Sequence, residues 1–145
     1  MMPYPPPPSL LPHSGRAVLL DEVVEADAGR IVCRVSIKAD SPFVENGRVP
    51  SVVVLEYMAQ AIAALAGLQA KAAGDEPRVG LLLGTRELTL AVDAFGIGDQ
   101  LLVEACRVFG DDLMGSFDCT ASRSGTRIAA ATLNVVLLPK EGSPG

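Results

Sequence analysis

The sequence predicts an α+β fold in which an antiparallel sheet wraps one long central helix. Three observations predict it. The run Tyr57 to Ala70 (YMAQAIAALAGLQA) carries no charge and is apolar on nearly every side, as a helix enclosed by other structure is. Two strand-like segments precede it and four follow it. The later strands are separated by short turn signals that bring neighbours together in antiparallel fashion. The length, 145 residues, suits one domain, and an apolar content of 49% suffices for one core.

Taken in order, residues 1–12 hold six of the eleven prolines, and Pro5 to Pro8 read as an extended polyproline II arm with no core of its own. A single domain is expected over 13–139, with a short tail at 140–145. Ala17 to Asp27 and Gly29 to Lys38 read as the first two strands, turned at Ala28-Gly29. Ile31, Cys33, Val35 and Ile37 alternate with Val32, Arg34, Ser36 and Lys38, the period-2 signature of one buried face. Asp40 to Pro50, with two prolines and Asn46-Gly47, reads as a loop. Ser51 is placed to cap a helix reaching about Ala73, where Gly74 stops it. Its first turn, Val52-Val53-Val54, is β-branched and a poor helix start. Strands are then expected over Val79–Val92, Gln100–Phe109, Leu113–Ser122 and Thr126–Leu138. The last of these, with AAATLNVVLL, is apolar on both faces, so a second molecule is expected to cover part of it.

Composition removes several classes of function. Twelve Lys and Arg against seventeen Asp and Glu give a net charge of −5, which argues against nucleic-acid binding. One histidine, His13, excludes a histidine-rich metal site, and no metal is expected. Cys33, Cys106 and Cys119 fit neither a disulfide framework nor a zinc motif and read as small buried hydrophobes of a reducing compartment. The N-terminus lacks the charged start and apolar segment of a secretory signal. The uncharged run is shorter than a membrane span and is interrupted by Gln60 and Gln69. A soluble cytoplasmic protein, with no membrane association, is the expectation.

Glu56 is the only charged residue between Arg48 and Lys71. A lone carboxylate inside an apolar helix costs several kcal/mol if buried without partners. The helix N-terminus offsets part of that cost, and Gln60 at i+4 can hydrogen-bond it. A buried functional carboxylate is the reading; an exposed stripe is the alternative. His13, between Pro12 and Ser14-Gly15, has no local partner, and a solvent-exposed or structural role stands beside a catalytic one.

Four segments in order, Leu11-Pro12-His13, Leu19-Leu20-Asp21, Pro50 to Gln60 (PSVVVLEYMAQ) and Gly98-Asp99-Gln100-Leu101, resemble the β-hydroxyacyl-ACP dehydratases, hotdog-fold enzymes. Gly80 to Arg86 (GLLLGTR) and the phrase LPHSG are similar to the divergent dehydratases of aryl polyene pigment clusters. A hotdog is one helix wrapped by an antiparallel sheet, the architecture the strand pattern also indicates.

The resemblance implies dehydration of 3-hydroxyacyl thioesters, carried on acyl carrier protein by a pantetheine arm, to trans-2-enoyl thioesters in fatty-acid or aryl polyene-type synthesis. It implies no cofactor. The family acid maps onto Glu56 and the helix glutamine onto Gln60, which with Ser51 is expected to bind the substrate, a backbone N–H at Ser51 polarising the thioester carbonyl. The family histidine lies just upstream of the helix, where this chain has Phe43 to Val49 without one. Either His13 supplies the base or the elimination is lost. The site implied lies across a dimer interface, so a homodimer or higher homo-oligomer, or a hetero-oligomer with another hotdog chain, is expected. An acidic carrier protein would need local cations, and Arg48, Arg78, Arg86, Arg123 and Arg127 are the candidates, Arg48 and Arg86 first. Two alternatives stand beside this: a hotdog thioesterase in which Glu56 activates water, and a non-catalytic partner subunit.

Overall fold

A computed structural model of the chain describes residues 4–11, 15–75, 80–110 and 114–137. Within them run β1 (Glu22–Ala26), β2 (Arg30–Ser36), β3 (Arg48–Pro50), α1 (Val54–Ala72), β4 (Gly80–Leu90), β5 (Ala94–Gly96), β6 (Gln100–Gly110), β7 (Met114–Arg123) and β8 (Thr126–Leu137). Six strands form one antiparallel sheet in the order β1-β2-β6-β7-β8-β4, while β3 and β5 pair as a separate ribbon. One long helix lies against a mostly antiparallel sheet, as the apolar run and the strand spacing predict.

Side-chain size explains how closely they pack. Register aligns Ile31, Ala105, Cys119 and Ala131 in one row and Cys33, Val103, Ala121 and Ala129 in the next, all buried. Against these mostly small residues lie the buried Ala61, Ala64 and Leu65 of α1. Enclosing one leucine of this kind is worth ~1.5–3 kcal/mol. The buried Cys33 and Cys119 behave as hydrophobes, and burial pushes each thiol up to about 12. Cys106 differs from the expectation: it is half-buried, and its thiol donates to Glu104.

The helix boundaries follow the local sequence. Ser51–Val53 form a 3₁₀ turn before α1 begins, consistent with three β-branched residues in the first turn. Ser51 makes no side-chain cap, which corrects that expectation: it is buried in the 3₁₀ turn, ahead of the position from which its hydroxyl could cap α1. At the other end Gly74 adopts φ +78° and Asp75 N–H reaches back to Ala70 O at 2.7 Å, a glycine stop. With its leading turn the helix covers Ser51–Ala72, long and apolar enough to cross a membrane by length and composition. This matches the expected reach from Ser51 to about Ala73, of which the uncharged run is only a part, and packing against the sheet accounts for the hydrophobicity.

Three further differences have local causes. The first strand begins at Glu22 rather than Ala17, because Leu19 N–H and Ala17 O bond the Gln60 side chain instead of a neighbouring strand. The loop at 40–50 contributes β3, whose Val49 pairs Phe95. The arm is not extended throughout. Pro7–Ser9 form a 3₁₀ turn, Leu10 and Leu11 are buried, and Gly67 lies so close to Leu10 that a Cβ there would stand 2.0 Å from its carbonyl oxygen.

Candidate functional site

Glu56 sits in the first turn of α1, where the positive end of the helix favours a carboxylate. Gln60 Nε2 donates to Glu56 Oε1 at 3.3 Å, the i+4 contact the sequence suggested. The same nitrogen donates to Ala17 O at 2.6 Å, and Gln60 Oε1 accepts from Leu19 N–H at 2.8 Å. At 1% exposure, Gln60 is a buried clamp that joins the helix to residues 17–19 and steadies Glu56. Its amide is committed to protein groups, so the geometry supports a positioning role rather than the substrate contact expected of it.

Glu56 itself is exposed in this chain, which corrects the expectation of burial. The reason lies in the sheet. The flank of α1 that carries Glu56, Ala59, Ile62 and Ala63 faces a recess of about 190 Å³ whose opposite wall is Gly80, Leu81 and Leu82 of β4 and Val135 of β8. β4 is the last strand of the sheet, and its register shifts between Leu82 and Gly84. Leu81, Leu82 and Leu83 are all exposed, so the protein presents an apolar edge beside the Glu56 side chain.

Ser51 does not supply the free donor expected at the helix start. It is buried, and its N–H is given to Asp93 O at 2.9 Å, because the strand pairing of β3 with β5 continues to that residue. His13 and Arg78 lie outside the described residues. Arg48, on the β3 ribbon, and Arg86, on the six-stranded sheet, are both exposed but belong to separate sheets. Arg86 lines a groove of about 680 Å³ with Leu83, Phe109, Met114 and Asn134. Arg123 is already engaged, donating to Asp99 Oδ2 at 2.9 Å. Burial opposes the charge on Asp99, but Gly96 N–H and Arg123 outweigh it and hold that carboxyl below its ordinary range.

Sequence reasoning passed over a second recess, of about 270 Å³, lined in part by Val18 and Leu19. Tyr57 lines it beside Asp21, Lys38 and Ser41 and packs on Phe95 at 6.3 Å between ring centroids. Burial, then the nearby Asp21, pushes the Tyr57 hydroxyl up to about 12, so it is a donor at neutral pH. The only sequence signal was a tyrosine next to Glu56.

Comparisons place this geometry among known proteins. No curated protein sequence matches the chain significantly. Among solved structures, a chain of the dehydratase heterocomplex ApeI:P from Xenorhabdus doucetiae is 32% identical, with a TM-score of 0.90, covering 94% of this chain and 93% of that one. A hypothetical thioesterase with coenzyme A from Streptococcus pneumoniae TIGR4 shares the fold at 13% identity and a TM-score of 0.63, over 82% and 86% of the two chains. The E. coli PaaI protein of the phenylacetic acid degradation operon does so at 12% and 0.62, over 81% and 79%. The model of the ApeP dehydratase family matches residues 5–142, and the chain belongs to this ApeP-like family.

Proposed function

We propose that the chain works as one subunit of a hotdog dehydratase complex, converting 3-hydroxyacyl thioesters on acyl carrier protein to trans-2-enoyl thioesters. The observation that carries this reading is the Glu56–Gln60 pair at the lip of a recess between α1 and the exposed leucines of β4. A second hotdog chain set against β4 would cover those leucines and close the recess over Glu56. Its likeness to a subunit of a heterocomplex supports a hetero-oligomer over a homo-oligomer.

In this reading His13 takes a proton from the carbon next to the thioester. The carbon–carbon double bond forms as the carbon–oxygen bond at the next carbon breaks, and Glu56 protonates the departing hydroxyl to water. The proton returns from His13 to Glu56 through solvent, so the cycle closes without a cofactor. Arg86 and Arg48 are the cations offered to the acidic carrier.

A second reading, a non-catalytic subunit, is favoured by one observation: the Ser51 N–H that would polarise the thioester is spent on Asp93. The partner subunit would then carry the chemistry. The experiment is to purify the chain alone and co-expressed with a dehydratase-like hotdog protein of the same organism, then give each a 3-hydroxyacyl carrier protein. The proposed reading expects enoyl product, detected as loss of water by intact-mass spectrometry, from the complex and far less from the lone chain. A complex that is folded but inert overturns it. Full activity after His13→Ala removes His13 from the mechanism.

A further inference from the structure

A sheet has two edges, and each offers unpaired backbone groups to another chain. Here the edge strands are β1 and β4, and they are built differently. β4 is 11 residues long and leucine-rich. β1 has 5 residues and a register shift between Val23 and Glu25, two features that blunt an edge.

A third feature comes from the N-terminal arm. The Tyr4 hydroxyl accepts from Ala26 N–H at 3.0 Å and donates to Ala26 O at 3.2 Å. Both groups point away from β2, since the adjacent rung of the ladder is Asp27 N–H to Arg30 O. One side chain therefore occupies the donor and the acceptor that Ala26 would present to an incoming strand. The arm that delivers it is anchored by the buried Leu10 and Leu11 and by the close approach of Leu10 to Gly67. Pro5 to Pro8 have no N–H, so the arm cannot itself extend the ladder.

We infer that this arm is an assembly terminator: it closes the β1 edge against strand addition by a second copy of the chain. The sheet then cannot grow from that side, whatever docks elsewhere, and assembly stops at a closed complex instead of continuing as an open array. This goes beyond the dehydratase reading and does not depend on it.

The test compares the mass of the full-length protein with that of a form lacking residues 1–8 and of Tyr4→Phe, by light scattering over a hundredfold concentration range. Wild type keeps one mass. The truncated form, checked for a cooperative melt, gives species that enlarge with concentration, and Tyr4→Phe does so to a smaller extent. Adding Ala26→Pro to either variant removes the same edge-facing N–H and returns the wild-type mass. Folded variants that keep the wild-type mass overturn the inference. So does enlargement that Ala26→Pro fails to reverse, because growth would then start from another surface. If the truncated form does not melt cooperatively, Tyr4→Phe with and without Ala26→Pro decides.

Discussion

Replacing Gln60 by methionine keeps the length and approximate volume of the side chain but removes every hydrogen bond it makes. In the native chain those bonds satisfy Ala17 O, Leu19 N–H and Glu56 Oε1 at 2.6, 2.8 and 3.3 Å. Gln60 itself is 1% exposed, whereas Ala17 is exposed and Leu19 half-buried, so water replaces part of what the amide supplies. A buried group left without a partner costs about 1–3 kcal/mol, and with water able to reach Ala17 O the Leu19 N–H carries most of the loss, which puts Gln60→Met roughly 1–3 kcal/mol below wild type. Gln60→Glu separates hydrogen bonding from shape. A carboxylate still accepts from Leu19 N–H but turns an oxygen toward Ala17 O and Glu56. Burial and the neighbouring carboxylate raise the folded-state pKa of the new group above its unfolded value of about 4.3. The folded state then binds more protons, so this variant is closest to wild type below that pH and loses stability as pH rises from there through the raised folded value. Urea unfolding followed by circular dichroism between pH 4 and 8 measures both. A Gln60→Met loss below about 0.5 kcal/mol, or a Gln60→Glu deficit that does not change with pH, refutes the clamp.

Other predictions follow from single observations. Gly67→Ala would put a Cβ 2.0 Å from Leu10 O, so it should displace the arm and cost about 1–3 kcal/mol by thermal unfolding. Gly74→Ala, where φ is +78° and nothing lies within 4 Å, should cost only the ~1 kcal/mol of a strained backbone. Leu83→Glu, at a side chain 57% exposed on β4, should leave the lone chain within about 0.5 kcal/mol of wild type yet abolish co-purification with the partner. Asp99 is held below its ordinary range when folded, so its contribution is present above about pH 4 and lost as pH falls through the folded value. Asp99→Asn should therefore be less stable at neutral pH and show a flatter acid limb of stability.

Much of the fold was legible because burial and periodicity coincide. Ile31, Cys33, Val35 and Ile37 are all buried, as their alternation implies, and Ser124-Gly125 makes the tight turn between β7 and β8 with φ +51° and +79°. What was not legible depends on contacts between distant segments. Nothing near Leu19 announces that its N–H belongs to Gln60, so the first strand reads too long. Polyproline composition suggests an extended arm at Pro5 to Pro8, whereas the 3₁₀ turn at Pro7–Ser9 and the lodging of Leu10 on Gly67 need the helix in place. The site was half legible. Glu56 and Gln60 stand out as polar residues at i and i+4 on an apolar helix. The exposure of Glu56 and the loss of the Ser51 N–H to Asp93 follow from where β4, β3 and β5 come to lie, which no local pattern encodes.

The central claim is that Glu56 serves dehydration at a site completed by a partner. Its most direct test is the single-turnover rate of enoyl formation by the assembled complex with Glu56→Gln, which leaves an acceptor for Gln60 in place. Loss of a positioned general acid lowers such rates by roughly 10²–10⁴-fold, and a fall in that range with unchanged complex mass is the predicted result. A rate within twofold of wild type contradicts the claim and assigns the chemistry to the partner alone.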